Sequence, residues 1–171
     1  MSGRSKFEGF PKLITELDWA KMAVSLDMEG CIRIQSGDFS KYHKHAVSIQ
    51  HSLQLRMGNT DPRLALWCYE RFGGGLYHRE ISKRNPKHRD FFDWFATSKR
   101  AEAILHGCMP HFIIKREQAD TALAFCDIAW TQMRGQRLPQ EIIEQREFLK
   151  RKLEEQKVQR FEVIDGFRKM A

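Results

Sequence analysis

The sequence predicts an α+β fold in the order helix, two strands, helix, two strands, then helices, and three observations carry this. Apolar residues recur at helical spacing up to Met28, and after Gly30 the period drops from about 3.6 to 2. A second alternating run extends from Val47 to Met57. A further helical segment closes at Gly73-Gly74-Gly75, and two more strand-like runs flank a basic turn with Asn85-Pro86.

Taken in order, Thr15-Glu16-Leu17-Asp18 reads as a capping box with Asp in place of Glu, and Trp19, Met22, Ala23 and Leu26 repeat as a helical face. The spacing predicts a helix from about Glu16 to Met28. The first strand then alternates, with Cys31, Arg33 and Gln35 on one side and Ile32 and Ile34 on the other. Past a polar loop from Ser36 to Lys44, the second strand sets Val47, Ile49, Leu53, Leu55 and Met57 against Ser48, Gln50, Ser52, Gln54 and Arg56. Asn59-Thr60-Asp61-Pro62 starts the next helix, with Leu64, Leu66, Trp67, Tyr69 and Phe72 as its apolar side.

The third strand is expected over Leu76 to Ser82 and the fourth over Arg89 to Ala96, giving two antiparallel hairpins. The aromatic run from Phe91 to Phe95 reads as core rather than as a stacking surface. Helices follow from Ser98 to about His106, from near Lys115 to Arg134, and from Pro139 to about Gln159. The last is heavily charged, with Ile142, Leu149 and Leu153 as a sparse apolar side, and is expected to lie solvated on the domain. The whole is expected to be one domain over residues 1–171, with a core over about 15–134 and a helical extension over about 138–171.

The chain has 171 residues, 42% of them hydrophobic, enough for a substantial core. Lys and Arg number 29 against 22 Asp and Glu, a net charge of +7, which favours a polyanionic partner. The excess is concentrated. Arg79, Lys83, Arg84, Lys87 and Arg89 cluster around one acid, Glu80.

The four cysteines are widely spaced and form no Cys-x-x-Cys pair, so neither a zinc knuckle nor a disulfide framework is indicated. Two histidines in His43-Lys44-His45 lack a third ligand and do not make a zinc site. With no apolar leader and no run of about 18 apolar residues, an intracellular reducing compartment is expected: bacterial or phage cytoplasm, or an organelle matrix or stroma. No membrane partner is expected.

Asp27 and Glu29 sit where a helix carries unpaired carbonyls and partial negative charge, a placement unfavourable by roughly 0.3–1 kcal/mol each unless a cation or an N–H donor is near. A divalent metal is one such partner. The stretch from Met22 to Gly30 resembles the LAGLIDADG motif of homing endonucleases, with Met22-Ala23 at its opening and Asp27-Met28-Glu29-Gly30 at its close. Val24 and Ser25 depart from the pattern. Asn59-Thr60-Asp61 with Phe72-Gly73-Gly74-Gly75 is similar to the family's next turn, helix and glycines. Pro110 to Ala119 is similar to its Pro-x-Leu-x-x-Lys-x-x-Gln-Ala segment.

The resemblance implies a saddle-shaped antiparallel four-stranded sheet, αββαββα with extra C-terminal helices, astride double-stranded DNA. It implies Mg²⁺ or Mn²⁺ held by Glu29 and the Met28 carbonyl, with Glu29 and Lys115 catalytic. Asp27 reads as a structural acid that bonds backbone N–H groups. Met57 departs from a polar family position that helps hold water.

One motif helix per chain implies a homodimer, pairing through Trp19, Ala20, Ala23, Val24 and Asp27, and a long pseudo-palindromic target. The product expected is a double-strand break with short 3′ overhangs that spreads a mobile element such as an intron.

DNA contacts are expected from Arg33, Gln35, Ser48, Gln50, Gln54 and Arg56 on the polar strand faces. His78 and Arg79 join them without a choice of face on the third strand, and Lys83, Arg84, Lys87 and Arg89 would grip phosphates from the turn. Two alternatives stand beside this reading: an intron RNA maturase on the same fold, and a DNA-binding regulator that does not cut.

Overall fold

The computed structural model describes residues 9–37, 50–129 and 138–168. Helix α1 spans Glu16–Glu29 and starts at the capping box read from the sequence, where the Thr15 hydroxyl accepts from the Asp18 N–H and the Asp18 carboxylate accepts from the Thr15 N–H. It runs without a loop into β1 (Gly30–Gly37). Only glycine fits that corner, because a Cβ on Gly30 would lie 2.6 Å from the Leu26 Cα and 2.8 Å from the Leu26 carbonyl.

Strand β1 pairs antiparallel with β2 (Gln50–Asn59), and Arg33 faces Gln54 in that register. Helix α2 (Pro62–Phe72) is capped by the Asp61 carboxylate and carries Pro at its first position. It ends on Gly73 and Gly74, both with positive φ. Strands β3 (Gly75–Arg79) and β4 (Phe91–Thr97) form the second hairpin, and the sheet order β1-β2-β4-β3 joins the two hairpins along β2 and β4.

Helix α3 (Ser98–Cys108), a 3-10 turn (Met109–His111), α4 (Arg116–Ala129) and α5 (Gln140–Arg168) complete the chain. Among the described residues, five α-helices and a four-stranded antiparallel sheet make an α+β fold.

The helices cover one face of the sheet. Ile32, Ile34, Leu53, Leu55, Met57, Trp94 and Ala96 are buried there against Met22, Ala23 and Leu26 of α1, Ile104 and Leu105 of α3, and Phe125 of α4. The period-2 reading of β1 and β2 thus selects the buried set by alternation alone. The aromatic run divides, however: Trp94 is core, whereas Phe91, Asp93 and Phe95 project to the opposite face.

The two largest differences from the expected boundaries, among the described residues, are in β3 and α5. Strand β3 stops at Arg79 rather than Ser82, because the backbone N–H and hydroxyl of Ser82 both donate to Asp90, at 3.0 and 2.6 Å, and fold the chain into a turn. Helix α5 continues to Arg168, past the expected Gln159.

Helix α5 is anchored rather than loosely laid on. Leu153 is buried, buried His51 of β2 meets Glu147 at 2.6 Å, and Lys150 donates to the Ser36 hydroxyl of the edge strand β1 at 2.8 Å. All four cysteines are free, and burial pushes the Cys68 and Cys126 thiols up to about 12. Among the described residues no helix is long and apolar enough to cross a membrane.

Candidate functional site

The junction of α1 and β1 is built by two side chains that cross between helices. Asp27, 4% exposed, accepts from three successive backbone N–H groups at the entry to α4: Ile113 at 2.8 Å, Ile114 at 3.2 Å and Lys115 at 2.8 Å. Such a run of donors is a ready anion site, and the N-terminal end of α4 adds its partial positive charge. In return, the buried Lys115 ammonium donates to the carbonyls of Leu26, Asp27 and Gly30, at 2.8 Å and 2.9 Å for the last two. The orphan carbonyls at the α1 C-terminus thereby receive a cation. These are the N–H donors and the cation that acids at this helix end require.

Glu29 differs. It is exposed and makes no hydrogen bond or ion pair with the described residues. With Asp27 saturated by N–H donors, the carboxylate left to the solvent at this helix end is that of Glu29, beside the exposed Met28. No group of three or more metal-ligating side chains exists among the described residues. One carboxylate with a backbone carbonyl still fits a hard divalent cation that keeps several waters and takes further ligands from a phosphate.

The expected pairing set on α1 separates into two faces. Ala23 and Asp27 are buried in the chain's own interior, and Trp19 packs between Phe10, edge-on, and Phe72, tilted by 53°, with ring centroids 5.4 Å from each. The face left open carries Leu17 (62% exposed), Ala20, Val24 (46%) and Met28 (74%), spaced at three, four and four residues. Beside it a groove of about 510 Å³ is lined by Ala20, Lys21, Val24, Ser25, Leu64 and Trp67.

On the helix-free face of the sheet, Arg33, Gln35, Gln54 and Arg56 lie together as expected, and Gln50 is exposed at the end of the first hairpin. Ser48, with His43 and His45, lies outside the described residues. Strand β3 is resolved by its register: Tyr77 and Arg79 share the polar face, whereas His78 stacks on Phe92 at 4.6 Å on the helix side and bonds Asp90. The face that the sequence left open on this strand is therefore the one of Tyr77 and Arg79, and His78 lies away from it. Met57 is core, so it is not at the polar surface at all.

Side-chain partners refine the roles. The Arg33 Nε donates to the Gln54 Oε1 at 2.7 Å, so that oxygen holds a neighbour. Asp93, only 3% exposed, accepts from Arg56 and from Arg79, the latter at 2.9 Å. Lys83, Arg84, Lys87 and Arg89 are all exposed in the β3–β4 turn. Asp90 pins that turn, its carboxyl held down to about 2 by the Ser82 hydroxyl and backbone N–H and by His78.

Asp93, Tyr77 and Phe95 did not stand out in the sequence. Alternation from Trp94 would have turned Asp93 and Phe95 to the opposite face, Asp93 being the one acid there among the described residues, whereas Tyr77 is placed by the pairing of β3 with β4.

No family model matches the sequence, and no curated protein does; the likeness is structural. The homing endonuclease I-CvuI in complex with its target superposes with a TM-score of 0.63 at 18% identity, covering 82% of each chain. The archaeal intron-encoded I-Vdi141I complexed with DNA gives 0.63 at 10% identity, over 82% of this chain and 84% of that one. The chain has the LAGLIDADG homing endonuclease fold.

I-SmaMI bound to an uncleaved DNA target with calcium ions matches 81% of this chain but 44% of its own, with a TM-score of 0.53 and 18% identity. In this fold α1 ends at Glu29 and runs directly into the start of β1.

Proposed function

We propose that the chain is a site-specific, divalent-metal-dependent DNA endonuclease that cuts both strands of a pseudo-palindromic target as a homodimer. The observation that carries this is Glu29: an exposed carboxylate, unpaired among the described residues, at a helix end where acids are disfavoured, beside a neighbouring acid whose every need is met within the chain. A residue kept at a destabilising position without a protein partner is best explained by a partner outside the protein.

Glu29 and the Met28 carbonyl would hold Mg²⁺ or Mn²⁺, which supplies Lewis acidity and an activated water for phosphodiester hydrolysis. The Lys115 Nζ lies beneath the same junction, bonded to the carbonyls of Asp27 and Gly30 on either side of Glu29, and as an ammonium there would favour charge developing on the phosphate. Arg33, Gln35, Arg56 and Arg79 on the helix-free sheet face bind and orient the duplex, and the basic β3–β4 turn holds phosphates. The I-CvuI and I-Vdi141I structures are complexes with their DNA targets, which supports DNA as the partner.

Leu17, Ala20, Val24 and Met28 support the dimer. Side chains at three- and four-residue spacing on an exposed helix suit pairing with an identical helix about a two-fold axis, bringing two Glu29 carboxylates toward each other. Cations at the carboxylates relieve their repulsion, so assembly and metal binding reinforce one another.

The test incubates the full chain with a plasmid library of pseudo-palindromic inserts, with Mg²⁺ or with EDTA, beside Glu29→Gln. Linearisation that needs metal and is abolished in Glu29→Gln is expected. Binding without cleavage under every metal identifies a regulator instead, and tight binding of intron RNA without DNA cleavage identifies a maturase.

A further inference from the structure

The helix-free sheet face is basic and polar, yet at its centre sits a carboxylate that solvent scarcely reaches. Asp93 lies on β4 opposite Gly58 of β2 and Tyr77 of β3, diagonal to Arg56 and Arg79. Rings wall it in along its own strand. A Cβ on Gly58 would lie 2.4 Å from the Phe91 ring and one on Gly75 2.1 Å from the Phe95 ring, so both rings fill space that only glycines leave open. Tyr77 stacks on Phe95, with centroids 5.2 Å apart and planes 18° apart, and the Arg79 guanidinium lies over Phe91 at 5.9 Å.

An acid on a surface that meets polyanionic DNA repels its ligand, so its presence asks for a reason. As a source of stability it is weak, because desolvating a carboxylate and a guanidinium costs about as much as their attraction returns. Geometry supplies a better reason. The Arg56 Nε and one terminal nitrogen both bond Asp93, a bidentate grip on one edge of the guanidinium. The other edge, between the two terminal nitrogens, is the one that forks to the O6 and N7 of guanine. Arg79, half-exposed and held through a single terminal nitrogen at 2.9 Å, is fixed less tightly beside it.

We infer that Asp93 is a positioning residue for base reading: it holds Arg56 and Arg79 in one preorganised arrangement and so sets a preference for guanine at the base pairs beneath them. Holding the arginines lowers the rotamer entropy lost on binding the right base, and it prevents them from swinging to phosphates, where they would strengthen binding to any sequence. The inference rests on the sheet face being a DNA surface.

The test selects bound duplexes from a randomised DNA library with the full chain in Ca²⁺ at fixed salt, and compares wild type, Asp93→Asn and Arg56→Gln by sequencing. Wild type is expected to enrich guanine at discrete positions. Asp93→Asn is expected to lose about tenfold in preference at the positions that Arg56→Gln also relaxes, to keep its preferences elsewhere, and to bind unselected DNA several-fold more tightly.

Because Asp93→Asn leaves two guanidinium groups together, thermal unfolding is measured alongside, and Arg56→Gln reports the same positions without that strain. A wild-type profile at every position in Asp93→Asn, with only a lower melting temperature, overturns the inference and leaves the DNA surface standing. If wild type retains no duplex at all, the DNA surface itself fails, and the inference with it.

Discussion

Asp27 and Lys115 cross-brace two helices: the carboxylate from the end of α1 bonds the backbone entering α4, and the ammonium from the entry of α4 bonds the backbone ending α1. Each side chain neutralises the helix end it reaches, and both are buried. Asp27→Ala leaves the N–H groups of Ile113, Ile114 and Lys115 without their acceptor, and a loss of about 3 kcal/mol in urea unfolding is expected. Lys115→Met loses the charge-assisted bonds to carbonyls and is expected to cost about 2 kcal/mol, so its effect on cleavage must be read beside its effect on folding.

Glu29 stands in the opposite thermodynamic position. Glu29→Gln removes a negative charge from the negative end of α1 and breaks no hydrogen bond or ion pair among the described residues, so stability is expected to rise by roughly 0.3–1 kcal/mol while metal-dependent cleavage disappears. Differential scanning calorimetry beside plasmid linearisation checks both halves. Loss of activity together with loss of stability would instead make Glu29 a structural acid.

How much of this was legible in the sequence depends on the kind of signal. The capping box at Thr15, the glycine corner at Gly30 and the alternation through Leu53, Leu55 and Met57 are local, and each element follows from residues adjacent in the chain. What pairs across elements was not legible. The α1 period shows Ala20, Ala23 and Val24 as small or apolar residues, but which of them turn outward depends on where Phe10, Phe72 and the sheet press on the helix. Likewise Phe91 to Phe95 reads as apolar on both sides of its strand, and the register with Gly58 and Gly75 is what lays two of its rings on the polar face beside Asp93.

Val24 lies midway along the open face of α1, and in the protomer it is nearly half-exposed. Val24→Glu is therefore expected to leave protomer stability within about 1 kcal/mol of wild type. Set against its symmetry mate in a paired interface, the new charge would be desolvated opposite a like charge, so dimer affinity is expected to fall by about a hundredfold or more in sedimentation equilibrium. Double-strand cleavage should fall with it. An unchanged sedimentation profile would show that this face does not form the dimer.

Trp19 illustrates packing in the same helix. A Cβ on Gly107 of α3 would lie 2.5 Å from the Trp19 ring, which has no room to retreat between Phe10 and Phe72. Gly107→Ala would otherwise favour the helix, yet here it is expected to destabilise by about 1–3 kcal/mol, as overpacking does. Chemical denaturation of Gly107→Ala beside Trp19→Phe,Gly107→Ala checks the cause, because the smaller ring should restore part of the loss.

The anchoring of α5 carries its own pH dependence. A hydrogen bond from His51 holds the Glu147 carboxyl below its ordinary value of 4.5, with Lys150 assisting. An acid lowered on folding contributes its stabilisation fully above that ordinary value and loses it as pH falls through the lowered one. Docking of α5 on β1 and β2 is therefore expected to be insensitive to pH near neutrality, where the ionised Glu147 contributes in full, and to loosen only below about pH 4.5. Hydrogen exchange of the Leu149 to Leu153 amides, corrected for intrinsic rates, should lose protection there before the amides of α1 do. Glu147→Gln should remove that difference, being equally docked or undocked across the window, and a wild-type α5 that holds its protection in step with α1 down through the transition would show that the His51–Glu147 pair does not anchor it.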